Sequence, residues 1–537
     1  MKRKVIILGG GLSALSAGIH LLEDGGAAKY DVKIICMEHR LGGKAASWRK
    51  PDGRFMEIGF HAVFGYYRAL RSLLAKVGRP VTDTRWFSSN HGVHLMYEAS
   101  ARAVNRLHLP EGLADIEAIL NNGFLDYQGM TPFEKMRAAR FFAELLPRLL
   151  LDPLSEELDE QTFTGFAVAS GLDLSLTQKS WFRYVLDLAF NYPNEGSAYV
   201  GARGFRALLG YENSEVFYFN GAMSEIMIAP LAEYFTSLGG TIEFCTKVTD
   251  VTLDPSTRRI TKLKTQPMAT VIPIPGVFDY VDWAPIGSGY SLEDDPYPQK
   301  GDPPPAEGAP VEERTLGTDF DEVVWTLPVE STKALLRTTP SFEEAVLENP
   351  KLSRVFHLRT VAPISMRIWL PDKVMPADFD TVVMGTPQPA ATIIDYANRV
   401  EELRRGPYGS VIELEGQEGL HADFTDKEMQ RLMLKQFAEL PFVDSRKLSI
   451  DDVMEGRNGC HLELRRNTAH HLRYLLMEPG HWKYRYEQED SGYENLVFAG
   501  DWMQGTQPTA SMEAATRTGK VAADHLRYKV GLQPSAD

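Results

Sequence analysis

The chain has 537 residues, 44% of them hydrophobic, which is enough for roughly two to four domains of about 150 residues and a large core. Lys and Arg number 57 against 72 Asp and Glu, a formal net charge of −15. This excludes a nucleic-acid surface, because phosphate contacts require clustered positive charge. Cys36, Cys245 and Cys460 stand far apart, lack metal-ligand spacing and leave an odd thiol under any pairing, so a reducing, cytoplasmic location is expected.

MKRK followed by an apolar stretch has the outline of a secretory signal, but three consecutive glycines and His20 spoil it. No stretch reaches the roughly 18 apolar residues of a spanning helix, so any membrane contact is expected from one face. Residues 4–8 (KVIIL) suit a buried parallel strand, and residues 12–22 suit a helix ended by Asp24, Gly25 and Gly26. A second strand is predicted over 32–37, finishing at Glu38.

Between strand and helix, Gly9, Gly11 and Ala14 fit G-x-G-x-x-G/A, with Leu12 and Ser13 opening the helix. Gly9 permits the tight turn, Gly11 lets the backbone approach a pyrophosphate, and the helix N-terminus faces it. Glu38, with His39 behind it, lies at the spacing of a ribose acceptor. This completes a dinucleotide-binding βαβ pattern, against the alternative of a Gly-rich turn without a ligand. The fingerprint does not separate NAD from FAD. Gly42, Gly43 and Lys44 add a second glycine pair and a cation where further phosphate contacts could form.

Residues 57–67 (EIGFHAVFGYY) crowd aromatics among glycines. They read either as a buried strand and turn or as backbone pressed against a flat ligand. Residues 131–151 have helical apolar spacing with Lys135, Arg137, Arg140 and Arg148 interleaved, which fits an exposed domain helix or a monotopic membrane contact. Residues 265–318, rich in Pro, Gly and acid with Phe278, Tyr280 and Trp283, suggest a hairpin and an extended loop that could cover a cavity or meet a protein partner. Near the end, residues 496–499 read as a strand leading to Gly500 and Asp501, and 511–526 as a small-residue helix.

Histidine and arginine pairs supply no firm site. His470 and His471 are adjacent, point apart and make a poor metal pair, so no metal is assigned. His91 and His94 have no acid or thiol at ligand spacing and are read as structural. Arg203 and Arg206 could reach a cavity or lie at the surface.

Together GGGLSALSAG, Glu38 with LGGK, EIGFHAVFGYY, and VFAGDW followed by ASMEAA resemble the FAD-dependent carotenoid desaturases of the plant and cyanobacterial type, within the flavin amine oxidase superfamily. NGAMSEIMIAPLAEYFTSLGGTIEFCTKVTDV, FDEVVWTLPVE and VAPISMRIWLPDKV continue the likeness, so apart from the insert it covers nearly the whole chain. Trp502 and Ala514 depart from the family's pattern and bear on substrate rather than cofactor.

The resemblance implies an α/β fold: a Rossmann-like FAD domain assembled from 1–89, 217–263, 318–336 and 495–537, and an α+β substrate domain from 90–216 and 337–494. It implies that Gly59, Phe60 and His61 lie against the isoalloxazine, with Phe64, Tyr66 and Tyr67 beyond. It implies that Glu38 holds the ribose, the Val248 backbone the adenine, Gly500 and Asp501 the ribityl or pyrophosphate, and Ser511 and Met512 the flavin edge. His61 is the first candidate for a catalytic residue, with Tyr66 and Tyr67 behind it. The implied substrate is a hydrophobic isoprenoid or carotenoid, and the acceptor a quinone or oxygen. Amine oxidation, isomerisation or reaction with a smaller metabolite, and service as a flavoprotein subunit, remain the alternatives.

Overall fold

The computed structural model describes residues 1–50, 52–90, 92–96, 104–108, 130–151, 156–177, 195–208, 213, 215–268, 305–379, 381–384, 389–505 and 509–536. Strand β1 (Arg3–Leu8) carries the β-branched Val5, Ile6 and Ile7, whose stiff side chains suit a strand covered on both faces. Residues 9–11 turn the chain into helix α1 (Leu12–Leu22), all 11 residues of which are buried. The chain returns as β2 (Tyr30–Ile35), parallel to β1. It stops short of the predicted 32–37 because β1 ends at Leu8. Beyond Ile35 the backbone bonds to the other neighbour, Cys36 N–H donating to Glu243 O at 2.8 Å and Cys36 O accepting from Thr246 N–H at 2.9 Å.

Strand Thr241–Glu243 flanks β2, and Glu322–Trp325 and then Leu496–Phe498 extend the sheet beyond β1, every neighbour parallel. This is the Rossmann-like sheet. Helix α2 (Met512–Lys529) packs across α1. A methyl group on Gly519 would sit 2.4 Å from the Ser13 carbonyl oxygen and 3.0 Å from the Ala17 amide nitrogen, so the contact admits only a hydrogen there. An antiparallel meander, Thr246–Asp254, Arg259–Pro267 and Glu312–Thr315, stands beside the sheet. Thr265 pairs with Glu312 and Met268 bridges Pro305. Residues 269–304 between them, with the loop and partner contact expected there, lie outside the described residues, as does His91.

The second large sheet has seven strands, in the order His461–Arg466, β3 (Pro363–Leu370), β4 (Ser410–Gln417), Ala390–Asp395, Thr381–Met384, Gly92–Met96, Val104–His108. One face of β3 and β4 carries Ile364, Met366, Ile368, Ile412 and Leu414, which pack with Met429, Met433 and Phe437 from helix Asp426–Ala438. The opposite face carries Arg367, Glu413 and Glu415, all buried. Helix Pro132–Leu151 buries Ala138, Phe141 and Leu145. Among the described residues no helix is long and apolar enough to cross a membrane.

Gly519→Ala is expected to force α1 and α2 apart and to lower unfolding stability by about 1–3 kcal/mol, the usual range for overpacking. Denaturant midpoints of the flavin-loaded proteins check this; equal midpoints would mean that the helices separate freely.

Candidate active site

One cavity of about 570 Å³ runs from the first βα turn to the aromatic segment. At the turn, Gly9 has φ +114°, and a methyl group there would meet Thr326 Oγ1 at 2.7 Å. On Gly10 it would meet Cys36 Sγ at 2.4 Å. Gly11 caps α1 without a side-chain hydrogen bond, so the positive end of the helix is presented where Leu12 and Ser13 line the cavity. Gly42, at φ +115°, donates its N–H to Gly10 O at 2.8 Å, which seats the second glycine loop directly on the first.

Around this cradle stand the polar groups. Lys44 Nζ pairs with Asp501 and lies 5.7 Å from the centre of the Tyr474 ring. Gly500, at φ +147°, donates its N–H to Thr518 Oγ1 on α2 at 3.0 Å and so fixes where Asp501 begins. Ser511 caps α2 by accepting from Ala514 N–H at 3.1 Å. Glu38 Oε1 lies 2.9 Å from His471 Nε2, joining the end of β2 to the loop after His461–Arg466.

The aromatic segment is a strand, a turn and a strand, and residues 58–61 of the turn line the cavity. Ile58 O accepts from Asn467 Nδ2 at 2.9 Å, Gly59 O accepts from His61 Nδ1 at 2.7 Å, and Phe60 N–H donates to Glu415 Oε1. A carbonyl only accepts, so the His61 proton sits on Nδ1 and Nε2 keeps its lone pair. Burial pulls the His61 pKa down to about 4, leaving a neutral base in the wall. Burial also raises the Tyr67 hydroxyl well above its ordinary range, so Tyr67 holds its proton.

Of the residues singled out in the sequence, Gly9, Gly11, Leu12, Ser13, Glu38, Gly42, Gly43, Lys44, Gly59, Phe60, His61, Phe64, Tyr67, Val248, Gly500, Asp501, Ser511 and Met512 line this one cavity. Three do not. Ala14 is turned into the core between helix and sheet. His39, next to Glu38 in sequence, is not part of the wall. Tyr66 stacks on Phe64 with ring centres 5.4 Å apart, one layer back. Arg203 lies over the Tyr199 ring instead of in the wall.

The cavity also takes Gly10, Cys36, Glu415, Asn467, His470 and His471, none of which the sequence assigned to a cofactor site. The two histidines carried a signal that was tested only against metal binding. Among the described residues no cluster suited to a metal ion occurs.

The model of the flavin-containing amine oxidoreductases matches residues 12–281 and 312–527. The chain belongs to that family. It is 24% identical over 531 residues to the 15-cis-phytoene desaturase of Synechococcus elongatus, covering 97% of this chain and 95% of that one. With the 15-cis-phytoene desaturase of an Oncidium hybrid cultivar it shares 27% identity over 260 residues, 47% of this chain but only 42% of the relative. Among solved structures, putrescine oxidase bound to putrescine superposes with a TM-score of 0.62 at 14% identity over 98% and 99% of the two chains. Reduced UDP-galactopyranose mutase does so at 0.60 and 10% identity over 99% and 94%.

The cofactor is FAD and the protein an FAD-dependent oxidoreductase. The residues present fit it: glycine turns that no side chain could enter, a helix N-terminus, a carboxylate at the end of β2 and a cation–anion pair at the mouth. Glu38→Ala is expected to weaken FAD retention about tenfold or more, the scale of a lost hydrogen bond to a charged acceptor. Flavin content after gel filtration checks this, and unchanged content would remove Glu38 from the site.

Proposed function

We propose that the protein dehydrogenates a carbon–carbon bond of a hydrophobic isoprenoid or carotenoid. The observation that carries this reading is the near full-length likeness to a 15-cis-phytoene desaturase. The apolar wall of Ile58, Phe60, Leu327, Leu335 and Leu472 supports it. FAD, when bound, supplies two-electron acceptor chemistry that protein side chains lack.

The chain's own residues bind, orient and move the proton. Backbone amides at the N-terminus of α1, which the glycine turns leave open, would hold the pyrophosphate, Glu38 would accept from ribose hydroxyls, and the Val248 backbone would flank the adenine. Asp501, Ser511 and Met512 meet the ribityl chain and flavin edge, while residues 58–61 form a wall beside the ring. His61 Nε2 accepts the proton released by the carbon next to the one oxidised, and Tyr67 stays protonated behind it. In this reading 1–89, 217–263, 318–336 and 495–537 form the cofactor domain, and 90–216 with 337–494 the substrate domain. A quinone or oxygen would serve as the final electron acceptor.

Anaerobic mixing with phytoene in liposomes, and separately with a panel of amines, tests the reading. Phytoene alone is expected to bleach the visible flavin band; bleaching by an amine, or by neither, overturns it. His61→Ala is expected to keep its flavin and bleach about 10²–10⁴-fold more slowly, the range for loss of a general base. Since the His61 pKa lies at about 4 rather than 6.5, the wild-type rate should hold as pH falls through 6.5 and drop only near 4.

Delivery of such a substrate implies contact with a lipid surface. Phe133 and Met136 are 56% and 59% exposed on helix Pro132–Leu151, and Leu174 is 62% exposed. The Arg137–Asp173 ion pair brings these two stretches together, with Arg140 exposed beside them. Replacing Phe133, Met136 and Leu174 together by Ser is expected to reduce co-sedimentation with anionic vesicles by tenfold or more, since each inserted side chain contributes about 1.5–3 kcal/mol. Unchanged co-sedimentation would remove this face from the proposal.

A further inference from the structure

Strand β4 reads SVIELEGQ, and every residue in it is buried. Its polar face places Glu413 across from Arg367 of β3, but Glu415 across from Ser365 on one side and Thr392 on the other. Arg367 donates to Glu413 and, at 3.2 Å, to Glu57 Oε2, which also accepts from Tyr396 Oη at 3.3 Å. Three carboxylates thus stand around one guanidinium that bonds two of them, and each of these four groups is no more than 6% exposed. The register gives the cation to Glu413 and Glu57 and none to Glu415.

An isolated carboxylate in such a place is held far more cheaply as the neutral acid. Burial first, then the charge on Glu413, lifts the Glu415 carboxyl well above the usual range. Arg367 opposes this more weakly and Glu57 adds to it, while His61 in the facing turn is itself neutral. Oε1 already accepts the Phe60 N–H. A methyl group on Gly59 would crowd that oxygen at 2.8 Å, so the turn and the carboxyl are fitted to each other. Glu415 is also the member of the cluster that lines the cavity; Glu57, Glu413 and Arg367 stand behind it.

We propose that Glu415 stands in the cavity wall as a neutral carboxylic acid and donates a hydrogen bond to a carbonyl oxygen of a bound ligand. An O–H group in an apolar wall discriminates strongly for an acceptor, because leaving it unpaired is costly. The carbonyl is that of the flavin ring or of a second, ketone- or quinone-class ligand. The inference rests on flavin binding and not on the desaturase reading. A polyene that fails to bleach the flavin leaves it intact.

The experiment uses purified holoprotein, Glu415→Gln and Glu415→Leu. Gln keeps both an acceptor for Phe60 N–H and a donor, whereas Leu keeps neither. Infrared difference spectra at neutral pH should show a carboxylic-acid C=O band in the wild type that Glu415→Gln lacks. Glu415→Leu should shift the visible flavin band, or weaken binding of menadione about tenfold or more, and Glu415→Gln should restore the wild-type value. A shift in the flavin band assigns the flavin carbonyl, and a change in menadione affinity assigns the second ligand. The proposal is overturned by absence of the acid band, by its survival in Glu415→Gln, by Gln failing as Leu does, or by neither readout moving in Leu. Alkylamine binding to the wild type that Glu415→Gln abolishes would likewise overturn it, since an ammonium requires the ionised form.

Discussion

Backbone approach at a few glycines is the constraint on which the rest of the structure depends. Gly10 lies against Cys36, Gly42 against the first turn, and Gly519 against the backbone of α1. Each contact joins segments separated in sequence, and those at Gly10 and Gly519 leave no room for a side chain. The cavity is consequently walled by backbone from the first turn, the 42–44 loop, the start of the meander and the approach to α2. The cavity wall is thus drawn from segments spread along the chain, from residue 9 to residue 512.

This constraint explains what the sequence made legible. The β1–α1–β2 unit was readable because steric and hydrogen-bonding demands on a pyrophosphate turn leave few residue choices, and α1 spans the predicted 12–22. The glycines at 42, 43 and 500 were readable for the same reason, all having positive φ. Ala14 satisfied the fingerprint yet turned out to serve helix packing, which is the other half of what that motif encodes. His470 and His471 were weighed only for metal binding, although a residue opposite an acid across a cavity has a different use. Nothing in local sequence reports that His471 will meet Glu38, 433 positions away in the chain.

Glu415 shows a different limit. A charged residue inside an apolar strand was visible in VIELEG, but its state follows from register, and register is a long-range property. With β3 displaced by two residues along β4, Arg367 would face Glu415 and the charge pattern would reverse. Burying Arg367 with Glu57 and Glu413 is poor evidence for stability, since desolvation offsets much of the attraction. Its value lies in fixing which carboxyl is left without a cation.

The turn at residues 58–61 brings these themes together and accounts for aromatics set among glycines. Three of its polar backbone groups are engaged by side chains that themselves line the cavity, Ile58 O by Asn467, Gly59 O by His61 and Phe60 N–H by Glu415. Two of these partners come from the second large sheet and the loop that follows it, so the turn is held in place by a sheet other than the Rossmann-like one. Phe60 is braced between Tyr218 and Tyr396, with ring centres 5.7 Å and 6.3 Å away. A surface so braced cannot collapse into the cavity. It offers a planar ligand apolar area, and leaves His61 Nε2 and the Glu415 carboxyl as polar features through which such a wall can act.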